Sequence, residues 1–280
     1  MKVIIIGSGV MGSGIAIESI RAGYSTVLYD INAEALTKAE SYIHQQLDKA
    51  QSIGKLSEEN RLHALELLQF SHHFEDLKAD FILEAIVEKL PIKQDLFAKL
   101  EAQNNENCIF ATNTSSIPIT QIARGLKHPE RLVGVHFFNP AHIMKLVEII
   151  SGAATDESIA QKAYDWATKL GKTAVYAKDA PGFIVNRVAR HFYVESLKAL
   201  EEQVGDFEQM DRLMRATGFK MGPFELMDLI GVETNYSVTQ SMFEQFQYES
   251  KFRPSRIQKQ KVDAGFHGRK TKKGFYTYEG

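Results

Sequence analysis

At 280 residues, with 44% hydrophobic side chains, the chain is long enough for two modest domains, each with its own core. Its net charge of -2 gives no electrostatic footing for nucleic acid, and its single cysteine excludes an internal disulfide framework. Its longest apolar runs are too short to span a bilayer, and Met1-Lys2 runs straight into a strand pattern, so no leader and a reducing, cytoplasmic setting are expected.

The apolar run 2–6, closed by glycine, predicts a strand buried on both faces, as in a parallel sheet. A helix is expected over 11–22, with Gly23 as its C-terminal cap. A second strand covers 25–29 and ends at Asp30, and helices fill 33–52 and 58–68. Strand patterns return at 81–84, 108–111, 132–135 and 145–150, several of them separated by helical stretches. Such alternation predicts a Rossmann-type, doubly wound, mainly parallel α/β sheet. Cys108 heads one of these strands and reads as a buried, inert thiol.

The turn-rich run Lys178-Asp179-Ala180-Pro181-Gly182 interrupts this pattern. Beyond it only helix-like segments follow, at 183–204, 207–216, 223–230 and 233–247. We therefore expect a first domain over 1–179 and a smaller all-helical domain over 180–280. The tail is basic: Lys251, Arg253, Arg256, Lys259, Lys261, Arg269, Lys270, Lys272 and Lys273 face only Asp263 and Glu279 among acids. Such a run is a solvated surface, or else a face that meets phosphate or a partner subunit.

Gly7-Ser8-Gly9-Val10-Met11-Gly12 matches G-x-G-x-x-G between a predicted strand and a predicted helix. Gly7 suits the tight turn, Gly9 the close approach of a pyrophosphate, and Gly12 the packing of helix on strand. Val10 and Met11 open the helix, whose N–H groups and partial positive charge favour a diphosphate. Asp30 ends the second strand; a carboxylate there accepts bonds from ribose hydroxyls and repels a 2′-phosphate, so NAD is expected rather than NADP.

Two further runs, Asn113-Thr114-Ser115-Ser116 and His136-Phe137-Phe138-Asn139-Pro140, follow predicted strands and so reach the sheet edge where ligands bind. A base beside a nicotinamide site suits alcohol oxidation or carbonyl reduction, and histidine is the usual base near neutrality. Glu148, charged within the next apolar run, is a partner that would fix the imidazole tautomer and stabilise its cation. Ser115 offers a hydroxyl to a substrate oxygen. The bland alternatives are a packed histidine at 136 and a helix-capping hydroxyl at 115 or 116.

With these markers, and with Met144-Lys145-Leu146-Val147-Glu148, Pro181-Gly182-Phe183-Ile184-Val185-Asn186-Arg187, Met221-Gly222-Pro223-Phe224-Glu225-Leu226 and Gly274-Phe275-Tyr276, the chain resembles the short-chain L-3-hydroxyacyl-CoA dehydrogenase family over essentially its whole length. The resemblance is to the stand-alone bacterial 3-hydroxybutyryl-CoA dehydrogenase type, of fatty-acid or butanoate metabolism. It implies His136 as catalytic base, Glu148 as its paired acid, Ser115 at the reacting oxygen near the nicotinamide, and Asn186 holding substrate from the helical domain. It places Asn113, Glu88, Lys93 and Asn139 at NAD, and it implies an acyl-CoA substrate and a homodimer formed through the helical domain. No metal is implied.

The chain also departs from the family pattern. His142 stands where the family usually has proline, close to the active-site loop. Lys49 and Lys55 are candidate contacts for the CoA phosphates. Arg187-Val188-Ala189-Arg190-His191 is more basic than the butyryl pattern and resembles the branch acting on 3-hydroxyadipyl-CoA in aromatic-acid breakdown. There either arginine could meet a distal carboxylate, or both could be surface pairs with Glu195 or another acid. A reading of another class is an NAD-binding protein with a structural or sensing role. A dehydrogenase of free β-hydroxyacids shares the opening fingerprint, but it would need a lysine base in a glycine-rich segment that the chain lacks.

Overall fold

Eight strands form one sheet in the spatial order β3-β2-β1-β4-β5-β6-β7-β8 in the computed structural model, which describes residues 1–279. In chain order the elements are β1 (Lys2–Ile6), α1 (Val10–Arg21), β2 (Ser25–Tyr29), α2 (Ala33–Ser52), α3 (Glu58–Glu66), β3 (Leu68–Ser71), β4 (Phe81–Glu84) and α4 (Leu90–Gln103). There follow β5 (Ile109–Thr112), α5 (Ile119–Ile122), β6 (Leu132–Phe137), β7 (Leu146–Ser151), α6 (Glu157–Lys169) and β8 (Thr173–Lys178). Every pairing is parallel except β6 with β7. The order reverses between β1 and β4, and in open α/β sheets ligands bind at such a switch point.

The central strands are apolar runs buried on both faces, as parallel packing between helices requires. Two strands escape sequence reading, β3 and β8. Both lie at sheet edges, where about half the side chains face water; β3 has no apolar run, and β8 has only the short run 174–177. The helix expected over 58–68 stops at Glu66, because Leu68 pairs with Thr26 instead. The strand expected over 132–135 continues to Phe137, so His136 lies within β6 rather than after it. Cys108 is fully buried, and burial pushes its thiol up to about 12.

Two compact units divide the chain, residues 1–180 and 181–280. The second contains α7 (Val185–Glu201), α8 (Phe207–Ala216), α9 (Pro223–Ile230), α10 (Val232–Gln245) and α11 (Arg256–Asp263). Its core gathers Tyr193, Leu197, Phe224, Met227, Val232 and Phe275. Two buried aspartates tie the C-terminal run to these helices. Asp228 accepts from the backbone N–H of Phe275 and Tyr276 and from the Tyr278 hydroxyl, each at 2.9 Å. Asp211 accepts from the N–H of Phe224 and Glu225 and from the Tyr276 hydroxyl. A Cβ on Gly274 would lie 2.0 Å from Asp228 Oδ1, and one on Gly222 would lie 2.2 Å from Asp211 Oδ1. The marker runs at 221–226 and 274–276 are thereby explained as packing.

Much of the basic tail is neutralised within the unit. Lys259 pairs with Asp263, Lys270 with Glu233, Lys251 with Glu249 and Arg253 with Glu201. Lys261 and Lys273 lie over the rings of Phe275 and Phe266.

Candidate active site

Ile6 delivers Gly7 to the end of β1, where it turns with φ 100°. A Cβ on Gly7 would lie 2.6 Å from the Ala85 carbonyl oxygen, and one on Gly12 would lie 1.7 Å from the Gly7 carbonyl oxygen, so both positions admit only glycine. Gly9 differs: a Cβ there would meet nothing within 4 Å. It caps α1 without a side-chain bond, which leaves the first-turn N–H groups of Val10 and Met11 for another acceptor.

Asp30 bends back to this loop. Its Oδ2 accepts from Ser8 N and Ser8 Oγ, both at 2.8 Å. Beside it opens a cavity of about 770 Å³ whose lining includes Gly9, Asp30, Ile31, Ile86, Val87 and Leu96. Its aliphatic walls, the bare backbone at Gly9 and the carboxylate at one edge suit an adenosine and its unphosphorylated ribose. Ile31, Val87 and Ile92 are exposed apolar side chains there. Sequence reading passed them over, although for Ile31 and Val87 an apolar residue shortly after a strand end is a usable signal.

His136 and Glu148 face each other in the antiparallel register of β6 and β7. The imidazole Nδ1 lies 2.8 Å from Glu148 Oε2, with His136 5% exposed and Glu148 fully buried. An ionised carboxylate only accepts, so Nδ1 donates and Nε2 carries the lone pair. The register matters, because a slip by one residue would turn Glu148 to the opposite face.

The run 113–116 leaves β5 next to this pair. Asn113 Oδ1 accepts from Phe137 N at 2.8 Å, clipping the end of β5 to the residue after His136. Glu88 Oε1 gathers the next turn, accepting from Thr114 Oγ (2.6 Å), Ser115 N (2.9 Å) and Ser116 N (3.1 Å). Partial burial pushes the Glu88 carboxyl up, but Lys93 and the bonds from Thr114 and Ser115 outweigh it and hold the group below the usual carboxylate range. Lys93 is buried, its ammonium shared by Glu84 at 2.6 Å and Glu88 at 3.1 Å. Neither Ser115 nor Ser116 caps the following helix. Asp179, from just beyond β8, accepts from Ile119 N and Thr120 N in that role, a partner sixty residues away that no local pattern reveals.

The loop after β6 contains the exposed Asn139 and a cis Asn139–Pro140 bond. Lys172 pins it, donating to the carbonyls of Ala141 (2.7 Å) and Met144 (3.1 Å) while pairing with Glu18 of α1 at 2.7 Å. His142 packs edge-on to Tyr42 of α2. Burial holds its imidazole below the ordinary value; Lys172, Arg21 and Lys49 add to this against Glu18. Lys49 and Lys55 are exposed near the end of α2, without an ion pair among the described residues.

In the helical unit, Asn186 is half-buried in the first turn of α7. The arginines there are not surface pairs with Glu195, which takes Lys198 instead. Arg187 lies over the Phe246 ring. Arg190 is buried, with Nη1 donating to Asn235 O and Thr239 Oγ, each at 3.0 Å, and its guanidinium over Tyr193.

Residues 2–180 match the family described as 3-hydroxyacyl-CoA dehydrogenase, NAD binding domain, and residues 182–278 match 3-hydroxyacyl-CoA dehydrogenase, C-terminal domain. The chain belongs to the 3-hydroxyacyl-CoA dehydrogenase family, a family of NAD-dependent oxidoreductases. A 3-hydroxyadipyl-CoA dehydrogenase of Escherichia coli is 44% identical over 99% of this chain, and the chain spans 58% of that protein's length. A 3-hydroxybutyryl-CoA dehydrogenase of Bradyrhizobium diazoefficiens is 38% identical over the full chain and 96% of its own length. Among solved structures, the (S)-3-hydroxybutyryl-CoA dehydrogenase PaaH1 of Ralstonia eutropha matches with a TM-score of 0.96 at 34% identity, covering 100% of this chain and 99% of that one. Among the described residues no helix is long and apolar enough to cross a membrane.

Proposed function

We propose that the chain interconverts an L-3-hydroxyacyl-CoA, 3-hydroxybutyryl-CoA foremost, and the corresponding 3-oxoacyl-CoA, as a cytoplasmic homodimer joined through its helical unit. The buried His136–Glu148 pair carries this reading. His136 Nε2 takes the hydroxyl proton in the oxidative direction, and Glu148 stabilises the imidazolium that results. In reduction the same imidazolium returns the proton. Ser115 donates a hydrogen bond to the reacting oxygen, and Asn186 holds the acyl group from the helical unit. NAD, when bound, supplies the hydride acceptor, and its adenosine half is held by the glycine run, Asp30 and the cavity beside them. Glu88, Asn113 and Asn139 surround the cofactor's other half, with Lys93 acting through Glu88. Lys49 and Lys55 receive the CoA phosphates.

The test is His136→Ala assayed by NADH oxidation with acetoacetyl-CoA. A rate loss of roughly two to four orders of magnitude, the range for a general acid–base, is expected with NADH binding retained. Activity within a few-fold of wild type would remove the assignment.

A second substrate, 3-hydroxyadipyl-CoA, is supported by the 44% identity to the Escherichia coli 3-hydroxyadipyl-CoA dehydrogenase. Arg190 is buried beneath α10, so of the two arginines on α7 the exposed Arg187 is the one open to a distal carboxylate. Rates with an acyl-CoA panel that includes the adipyl substrate separate the two.

A further inference from the structure

Glu84 is an acid that the reaction does not use directly, and it is fully buried at the end of β4. Both its oxygens are engaged. Oε1 receives Ile86 N at 2.7 Å and Lys93 Nζ at 2.6 Å, and Oε2 receives Thr112 Oγ at 2.7 Å. Lys93 in turn reaches Glu88 Oε2 at 3.1 Å, and Glu88 Oε1 holds the 114–116 turn. The two oxygens of Glu88 thus divide their work: one faces the buried ammonium and the other faces the serine turn.

We infer that Glu84 is a positioning residue for Ser115, acting through Lys93 and Glu88. The inference rests on the reading of Ser115 as the group at the reacting oxygen. The physical reason is charge balance. A lysine 1% exposed needs a counter-charge, and Glu84 supplies it from within the sheet. With Glu84 neutralised, Lys93 has only Glu88 to pair with. It then draws that half-exposed carboxylate inward, off the N–H groups of Ser115 and Ser116. The serine turn loses the acceptor that orders it, and the hydroxyl loses its aim. Networks of this kind fail as a unit, because each bond fixes the geometry of the next.

The experiment is a double-mutant cycle of Glu84→Gln and Ser115→Ala, with amide hydrogen exchange as a separate readout. Glu84→Gln is expected to lower kcat at saturating NADH roughly ten- to hundredfold, the penalty for a misplaced group, and to raise the KM for NADH as well, because the displaced Glu88 also borders the cofactor. In the Ser115→Ala background it should cost less than about twofold more, since the group it positions is gone. Exchange at the Ser115 and Ser116 amides should accelerate at least about tenfold while the rest of the sheet stays protected. Equal penalties in both backgrounds, or unchanged exchange at 115 and 116, would overturn the inference. If Ser115→Ala itself keeps wild-type kcat, the role of the serine fails, and the exchange result alone decides whether Glu84 orders the turn. Should Glu84→Gln not fold, Glu84→Gln combined with Lys93→Met removes both buried charges together; with no ammonium left to draw Glu88 inward, exchange at 115 and 116 should stay near wild type, and acceleration there would overturn the inference.

Discussion

Replacing Glu148 by glutamine removes a charge while keeping the shape of the side chain and an oxygen that accepts from His136 Nδ1. The tautomer therefore survives, and only the stabilisation of the imidazolium is lost. The pair is 2.8 Å apart between heavy atoms, with both groups shielded from water. For charge centres about 4 Å apart in an effective dielectric near 20, Coulomb's law gives about 4 kcal/mol. The amide dipole retains part of this, so a loss of about 2–4 kcal/mol is expected, or roughly 30- to 1000-fold in turnover. The pH dependence of turnover should change along with its magnitude, because the carboxylate no longer stands beside the base. The assay is kcat and kcat/KM for 3-hydroxybutyryl-CoA oxidation across pH, with NAD affinity measured by fluorescence as a control. A profile that does not move, with turnover within about threefold of wild type, would refute the pairing as a catalytic device and leave Glu148 a residue of the fold.

Asp30→Ala should weaken NADH binding and lower the ratio of specificity constants for NADH over NADPH, because the variant no longer repels a 2′-phosphate; an unmoved ratio would place the ribose elsewhere. Arg190→Met should change stability by less than about 1 kcal/mol in urea unfolding, far below the loss seen when a buried ion pair is broken. The guanidinium is held down to about 10 by burial, and its Nε has no hydrogen-bond partner among the described residues, so its loss gives up little. Thr239 Oγ also donates to Asn235 O at 3.0 Å, so neither group is orphaned when the arginine goes. The same variant should cost 3-hydroxyadipyl-CoA and 3-hydroxybutyryl-CoA turnover equally little, since the guanidinium is buried; a selective loss of roughly ten- to hundredfold on the adipyl substrate would show that a distal carboxylate reaches it. Gly274→Ala should destabilise the helical unit by at least about 1–3 kcal/mol, since its Cβ would meet an Asp228 side chain fixed by three bonds. An unchanged unfolding midpoint would show that Asp228 can yield.

The sequence by itself determined the elements that local pattern encodes. A continuous apolar run such as 2–6 must be buried on both faces, and a glycine run after it can only be a tight strand-to-helix turn. The parallel sheet, the cofactor fingerprint with Asp30, and His136, Glu148 and Ser115 as the groups of interest were legible for that reason. Tertiary structure decided the rest, because these features depend on residues brought together from far apart in the chain. The edge strands β3 and β8 carry little or only a short apolar signal and exist through pairing with a neighbour. The antiparallel register, not the spacing of twelve residues, puts Glu148 on the imidazole. Asp179 caps α5 in place of the nearby serines, and Lys172 reaches across from the start of β8 to hold the loop after β6. Arg190, which reads as a surface charge on a helix, is buried because α10 covers it and offers a carbonyl and a hydroxyl in place of water. A buried polar group must find its partner somewhere in the fold, and sequence order does not say where.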